Sequence, residues 1–235
     1  MQDPEYVKGA FAEIADRYVV TNHVLSLGID ILWRKRVARM IRDFLAAVGD
    51  ASSSPRVLDV ATGSGDLALE IQKKCPEAEV IGTDFCEPML EQARKRGLGQ
   101  TVVADALELP FADGEFDALT VGFGLRNMAD WAAGIREMGR VLRPGGLFVI
   151  LDFSLPKGKL RRRAYRAYLH KVLPKLAGAI TGKRDAYEYL GGTIEAFPSG
   201  DDMCALLEDN AFTAARARPL SSGIASIYRA ERTEA

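Results

Sequence analysis

The sequence predicts an α/β fold in which helices flank a doubly wound, mostly parallel sheet of seven strands. Between residues 56 and 153, short apolar runs rich in β-branched residues alternate with amphipathic segments, which is the pattern of parallel β-α-β units. A glycine-rich loop separates the first such strand from the first helix. Near the C-terminus, two apolar runs are joined only by residues 220–223. Strands this close in sequence pair antiparallel, so the sheet is expected to end in a hairpin.

Composition narrows the class of protein. The chain has 235 residues, 48% of them apolar, which suits one large domain or one domain with an elaborated cap. Its 31 basic and 32 acidic residues give no overall bias toward nucleic acid or membrane. The first residues lack a signal-peptide pattern, and no apolar run is long enough to span a bilayer. Three cysteines without C-x-x-C spacing disfavour disulfides and zinc, so we predict no metal site and a cytoplasmic location.

Residues 1–50 are predicted to form a helical cap. Apolar side chains recur at helical spacing in a first segment that contains Tyr6, Phe11 and Tyr18, and again across residues 31–44. Residues 51–55, Ala-Ser-Ser-Ser-Pro, form a linker by composition. The main Rossmann-like domain is therefore assigned to residues 51–235.

Within this domain the elements follow in order. Parallel strands are expected at 56–61, 78–83, 101–104, 116–121 and 147–153. Helices are expected at 67–74, 87–96, 131–142 and 201–209, and the hairpin strands at 212–219 and 224–230. Pro88 suits the first turn of its helix, and the Arg-Pro-Gly-Gly run at 143–146 is expected to stop the third helix.

The loop Asp-Val-Ala-Thr-Gly-Ser-Gly at residues 59–65 follows the first strand, where an open α/β sheet binds its ligand. Gly63 and Gly65 allow a sharp turn and a close approach of a ligand. Taken alone, the loop also fits a dinucleotide site or a tight turn with no ligand. Asp59 favours a cationic ligand, such as the aminoacyl end of S-adenosylmethionine, because its charge would repel a pyrophosphate.

Two further acidic positions suit a nucleoside. Asp84 ends the second strand and can accept hydrogen bonds from both ribose hydroxyls; the alternative is an N-cap for the helix that begins at Glu87. The Asp105 carboxylate and the Ala106 amide follow the third strand and can grip an adenine edge. The alternative for Asp105 is a cap on a turn.

Several stretches resemble the ubiquinone/menaquinone biosynthesis C-methyltransferases, and together they cover nearly the whole chain from about residue 5. The more specific ones are an N-terminal motif at residues 11–34 that ends in Trp33-Arg34, Phe-Gly-Leu-Arg-Asn at 123–127, and Tyr-x-Tyr-Leu at 187–190. Others are the glycine loop, Arg-Val-Leu-Arg-Pro-Gly-Gly at 140–146, Phe-Ser-x-Pro at 153–156 and Phe-Pro at 197–198. The chain departs from the family pattern at Val19, Thr21, Asp30 and Gly122, which puts a role for those four side chains in doubt.

The resemblance implies a class I S-adenosylmethionine-dependent methyltransferase fold, with S-adenosyl-L-methionine as cofactor. It implies methylation of a ring carbon in a demethylmenaquinol or a related polyprenylated benzoquinol. The family's donor-binding positions map onto Thr62, Asp84, Asp105 and Ala106. Alternatives are a methyltransferase for another small lipid or an RNA, a non-catalytic donor-binding protein, and a nucleotide-dependent reductase.

Arg126 and Asn127 are the candidate catalytic residues, because they follow the fourth strand at the ligand edge. Arg126 is expected to stabilise a phenolate rather than to act as the base, given its high pKa; the alternative is a salt bridge to a neighbouring acid. Asn127 is expected to orient the hydroxyl or a water molecule. His23 and His170, the two histidines, are weaker candidates for the base.

A basic insertion is expected at about residues 157–195. Residues 157–184 contain ten basic side chains and no acidic one, with apolar and aromatic residues interleaved. This composition suits the anionic inner face of a membrane, where a polyprenyl quinol resides. The alternatives are a solvated helix face packed on the core and a contact with RNA, although no nucleic-acid partner is expected.

Overall fold

A computed structural model describes residues 28–48, 54–174 and 184–234 of the chain. The first predicted helix, with Tyr6, Phe11 and Tyr18, lies outside the described residues. The strands of the described part are β1 (Arg56–Val60), β2 (Glu79–Asp84), β3 (Gln100–Val103), β4 (Phe116–Gly122), β5 (Leu142–Phe153), β6 (Phe212–Leu220) and β7 (Ala225–Arg232). The helices are α1 (Ile29–Val48), α2 (Asp66–Lys74), α3 (Glu87–Lys95), α4 (Trp131–Val141), α5 (Lys159–Ala167), α6 (Arg184–Ala196) and α7 (Asp201–Glu208).

The seven strands form one sheet in the order β3-β2-β1-β4-β5-β7-β6. Strands β1 to β5 pair parallel, and β7 lies antiparallel between β5 and β6. The predicted mostly parallel sheet with an antiparallel C-terminal hairpin is confirmed. The strand order reverses between β2-β1 and β4, which creates a crevice at the carboxyl ends of these strands.

Hydrophobic side chains are buried on both faces of the sheet. Val57 and Leu58 are consecutive and both fully buried, yet they belong to different hydrophobic clusters, because successive side chains of a strand point to opposite faces. One cluster includes apolar residues of α1 and α2, and the other includes residues of α4 and α7. Burial on both faces explains why the parallel strands read as nearly continuous apolar runs.

Helix α1 confirms the second predicted helix and packs into the first of these clusters. Trp33, Val37, Ile41 and Leu45 are buried at a spacing of four residues, so they form one apolar stripe along the helix. The indole Nε1 of Trp33 also donates to the Ser221 hydroxyl over 3.2 Å. These contacts join α1 to the end of the sheet where the parallel strands terminate.

Strand β5 begins at Leu142, earlier than residue 147 where the sequence predicted it. The register pairs Phe116 with Leu142 and then Ala118 with Leu147, so the intervening residues bulge out of the ladder. Gly145 adopts φ +69 in this bulge, a conformation that glycine tolerates. The Arg-Pro-Gly-Gly run therefore ends α4, as predicted, and also lies within the strand as a bulge.

The basic insertion is helical where the structure describes it. Helix α5 continues into a π-helical turn at Tyr168–Val172, and α6 follows after the undescribed residues 175–183. In the described parts of the chain, no helix combines the length and apolar character that crossing a bilayer requires.

Candidate functional site

An open cleft lies at the carboxyl ends of β1, β2 and β4. This is the crevice created by the reversal of strand order, where α/β sheets bind their ligands. The ends of these three strands, the loops that follow them, and residues of α1, α2 and α3 supply its lining, which consists of Arg34, Asp59, Ala61, Thr62, Gly63, Ser64, Asp66, Leu67, Asp84, Phe85, Met89, Gly122, Phe123, Gly124 and Asn127. The structure thus brings together five predicted site residues: Asp59, Thr62, Gly63, Asp84 and Asn127.

Asp59 lies at the base of the cleft and is almost fully buried. The hydroxyls of Thr62 and Thr120 donate to its two oxygens over 2.7 and 2.5 Å. Burial raises the pKa of Asp59 to about 6, against the two hydroxyl bonds and the charge of Arg34, which lower it. At neutral pH the carboxylate is therefore ionised, and it retains lone pairs for a cationic group.

Asp84 ties the glycine loop to the start of α3. The Gly63 amide donates to one carboxylate oxygen over 2.8 Å and the Cys86 amide to the other over 2.9 Å. Burial raises the pKa of Asp84 to about 6, although these amides oppose the shift. The carboxylate thus satisfies two backbone amides of the surrounding loops, and its remaining lone pairs suit the two hydroxyls of a ribose.

The loops after β1 and β4 approach each other closely across the cleft. Ala61 and Phe123, one in each loop, adopt left-handed backbone angles of φ 52 and φ 60, which are uncommon for residues other than glycine and often mark functional sites. A Cβ added to Gly124 would lie 2.5 Å from the Cβ of Ala61. Gly124 therefore permits this close approach of the two loops. The residue types of Ala61 and Phe123 gave no indication of it.

Arg34 reaches the cleft from α1 and was not among the predicted site residues. Its Nη1 donates to Asp30, its Nη2 lies 3.9 Å from Asp66, and its guanidinium carbon lies 5.4 Å from the centre of the Phe123 ring. Asp30, a departure from the family pattern, is thus the buried partner of Arg34. The sequence feature that could have identified Arg34 as a site residue is the Trp33-Arg34 pair at the end of the N-terminal motif.

The two candidate catalytic residues occupy different positions. Asn127 lines the cleft, and its side-chain nitrogen lies 3.4 Å from the carbonyl oxygen of Phe123. Arg126 is buried beside the cleft, donates to the same carbonyl, and forms an ion pair of 2.8 Å with Asp152. The salt bridge that the sequence left open as an alternative is thus present, and the role of Arg126 on a phenolate stays a prediction.

Asp105 and Ala106 are not among the described residues that line the cleft. Asp105 is exposed, and its carboxylate accepts from the Leu107 amide over 2.9 Å, which is the turn-capping alternative. Their contact with adenine stays a prediction. His170 lies outside the cleft lining, with Nε2 3.3 Å from Glu195, and His23 lies outside the described residues.

The charges of the cleft fit S-adenosyl-L-methionine. Three carboxylates, those of Asp59, Asp66 and Asp84, line it together with the guanidinium of Arg34. Such a lining attracts a sulfonium and an ammonium, whereas it would repel the pyrophosphate of a dinucleotide. The assignment of Asp84 to the ribose and of Asp59 to the aminoacyl end stays a prediction.

Comparisons with known proteins agree with this chemistry. The profile of the ubiE/COQ5 methyltransferase family matches residues 1–232. A demethylmenaquinone methyltransferase of Thermus thermophilus is 42% identical over 227 residues, which cover 94% of this chain and 99% of that protein. A ubiquinone/menaquinone biosynthesis C-methyltransferase UbiE of Bdellovibrio bacteriovorus is 38% identical over 233 residues, which cover 97% and 96%.

Solved structures share the fold. The CurJ carbon methyltransferase superposes with a TM-score of 0.66 at 14% identity, over 86% of this chain and 54% of that one. Phosphoethanolamine N-methyltransferase 2 of Haemonchus contortus, in complex with S-adenosyl-L-methionine, superposes with a TM-score of 0.61 at 13% identity, over 95% and 60%. The fold class is that of the class I methyltransferases, and S-adenosyl-L-methionine is the cofactor. By its sequence over nearly its whole length, this chain belongs to the ubiE/COQ5 methyltransferase family.

Proposed function

We propose that the chain transfers a methyl group from S-adenosyl-L-methionine to a ring carbon of a demethylmenaquinol or a related polyprenylated benzoquinol. The observation that carries this proposal is that Phe123 and Asn127, from the family-specific Phe-Gly-Leu-Arg-Asn loop, line the same cleft as Asp59 and Asp84. The residues proposed to bind the donor and those proposed to face the acceptor therefore line one cleft. The class of substrate follows the names of the two relatives that are 42% and 38% identical.

The chemistry asked of the protein is modest. The donor supplies an activated sulfonium methyl, and a quinol carbon becomes nucleophilic when the adjacent hydroxyl is ionised. Overall, the ring carbon exchanges its hydrogen for the methyl group and one proton is released. The protein must therefore align the ring with the donor and favour the phenolate.

Asn127 and Arg126 are proposed to share the second task. Asn127, in the wall of the cleft, orients the ring hydroxyl. Arg126, buried behind that wall, contributes positive charge. The Arg126 side chain is 6% exposed and is held by Asp152, with its guanidinium carbon 5.3 Å from the centre of the Phe153 ring. A guanidinium fixed in this way adds charge without reorganisation during the reaction.

Purified protein incubated with the donor and a short-chain demethylmenaquinol or benzoquinol tests this function, with mass spectrometry to detect a gain of one methyl. We expect methylation of at least one of the two quinols by the wild type and little by Asp84→Ala. Quinone profiling of a deletion strain should reveal a species lighter by one methyl. Binding of S-adenosylhomocysteine without methylation of either quinol would favour another lipid or RNA substrate, or a non-catalytic role.

We further propose that α5 makes a peripheral contact with the anionic inner face of the membrane. Arg161, Arg162 and Arg163 are exposed, no residue of α5 is buried, and Leu160 is 81% exposed. Packing starts near the end of α5, where Tyr165 contacts the cluster of Leu169, Leu173 and Ile194. A basic helix with an exposed apolar residue fits a lipid surface better than the alternative of a face packed on the core.

A further inference from the structure

The cleft contains one charge that donor binding through Asp59 and Asp84 leaves unused. Among the lining residues that the structure describes, Arg34 is the basic one, set among three carboxylates. It is 8% exposed, and it is near enough to Asp59 to lower the pKa of that carboxyl. A cation at this position faces the same end of the cleft as the aspartate assigned to the donor's ammonium.

The known contacts of Arg34 hold it without using all its donors. A guanidinium has five N–H groups, and the hydrogen bond described for Arg34 goes from Nη1 to Asp30. The distance of 3.9 Å from Nη2 to Asp66 is too long for a hydrogen bond. Asp66 has a closer cation in Arg96, whose Nη1 lies 2.7 Å from it. Asp66 therefore does not require Arg34 for neutralisation.

We infer that Arg34 binds the α-carboxylate of the methyl donor, so that Arg34 and Asp59 together recognise its zwitterionic aminoacyl end. This inference rests on the proposed binding of the donor in this cleft. A carboxylate that enters a cleft lined by Asp59, Asp66 and Asp84 is repelled unless a cation receives it. The planar fork of an arginine suits that partner, because it can donate two parallel hydrogen bonds.

Phe123 extends the role of Arg34 toward the acceptor side. Its ring lies below the guanidinium of Arg34 and packs against Phe153 at a centroid distance of 4.8 Å. The ring thus fixes the plane of the guanidinium through a cation–π contact. The donor's carboxylate and the loop that carries Asn127 are in this way held by one cluster of side chains.

A set of ligands separates this role from a structural one. Titration calorimetry is carried out with three ligands. S-adenosylhomocysteine has the complete aminoacyl end, and 5′-methylthioadenosine lacks it. Decarboxylated S-adenosylmethionine lacks the α-carboxylate but keeps the ammonium group of that end. The variants are Arg34→Gln and the double variant Arg34→Gln with Asp30→Asn, which also removes the charge of the buried Asp30 carboxylate. Arg39→Gln, an exposed arginine of the same helix, is the matched control.

We expect both Arg34 variants to bind S-adenosylhomocysteine about tenfold to hundredfold more weakly, as loss of a charged hydrogen bond predicts. Their affinities for methylthioadenosine and the decarboxylated donor should stay within about twofold of wild type, and Arg39→Gln should match wild type throughout. An equal loss for all three ligands, or no loss for any, would overturn the inference. Because no quinol is used, neither result bears on quinol methylation, whereas a wild type that fails to bind S-adenosylhomocysteine would contradict the donor site itself.

Discussion

Arg126 donates through Nη1 to Oδ1 of Asp152 over 2.8 Å, and the two side chains are 6% and 0% exposed. Arg126 lies in the 3-10 turn Leu125–Asn127 that follows β4, and Asp152 lies near the end of the adjacent strand β5. Burial raises the pKa of Asp152 above its ordinary value, while the charge of Arg126 opposes that shift. The pair therefore holds the Phe-Gly-Leu-Arg-Asn loop against the sheet.

Removing Arg126 should affect stability and turnover separately. Arg126→Ala is expected to lose about 3–5 kcal/mol of unfolding free energy, because Asp152 then remains buried without its partner. The double variant Arg126→Met with Asp152→Leu should recover most of that loss.

Turnover should fall about a hundredfold or more in Arg126→Ala and in the double variant. It should also fall in Arg126→Lys, which lacks the planar fork. Urea unfolding, steady-state rates and S-adenosylhomocysteine titrations, which should show near-normal donor affinity, measure these effects. Wild-type turnover in the double variant would show that the arginine is structural and leave Asn127 as the candidate.

Replacing Asp84 should weaken donor binding in a graded manner. Asp84→Ala removes both carboxylate oxygens that Asp84 offers the ribose, and it is expected to cost about 1.5–3 kcal/mol of binding free energy. Asp84→Asn keeps one oxygen and should cost less. Calorimetry with methylthioadenosine isolates the effect, because that ligand retains the ribose. Asp105→Ala in the same assay tests the adenine contact. Equal affinities for wild type and both Asp84 variants would remove Asp84 from the site.

Donor affinity should depend on pH through the same carboxylates. Both Asp59 and Asp84 have pKa values raised from 3.8 to about 6, so they lose their charge as the pH falls through 6. We expect the affinity for S-adenosylhomocysteine to decline between pH 7.5 and 5, and the decline to be shallower in Asp84→Asn. An affinity that is constant over this range would contradict the assignment of these two groups to the donor.

The ligand-free protein should show the opposite trend in stability. The two carboxyls bind protons more tightly in the folded state than in the unfolded state, so between pH 4 and 6 the folded chain holds more protons. Their contribution to the free energy of unfolding therefore decreases as the pH rises through this window. Urea denaturation of wild type and Asp84→Asn at several pH values isolates this contribution.

Gly124→Ala should disturb the contact between the loops after β1 and β4. The new Cβ would meet the Cβ of Ala61 at 2.5 Å, and overpacking of this kind costs about 1–3 kcal/mol of stability. Adding Ala61→Gly removes the opposing methyl and relieves a left-handed alanine, so the double variant should recover the loss. Thermal unfolding measures both. A single variant as stable as wild type would mean that the two loops separate easily.

Helix α5 should bind anionic vesicles in a salt-dependent manner. Each basic residue near such a surface contributes about 1 kcal/mol, and screening acts over about 8 Å at physiological salt. We expect cosedimentation with anionic vesicles at low salt, little with neutral ones, and a strong reduction when Arg161, Arg162 and Arg163 are changed to glutamine. Activity on a short-chain quinol should be unchanged. Binding that depends neither on lipid charge nor on these arginines would assign α5 to an ordinary cap.

The sequence by itself determined the sheet, the donor loop and several cleft residues. Apolar runs predicted the strands, because burial on both faces makes the central residues of β1, β2, β4 and β5 mostly apolar. The four-residue spacing at 220–223 predicted the antiparallel hairpin, because it is too short for a crossover. Local spacing was sufficient for these features, since each depends on residues that are neighbours along the chain.

Tertiary structure decided which side chains from distant segments meet. Arg34 lies in α1 and Asp59 in β1, with the rest of the helix and a linker between them along the chain. Only the packing of α1 against the sheet brings Arg34 to the cleft. Asp152 lies 26 residues beyond Arg126, so the pairing of β4 with β5 selected the acid that the arginine contacts. The left-handed backbone of Ala61 and Phe123 has the same origin. Neither residue type favours that conformation, and the surrounding contacts impose it.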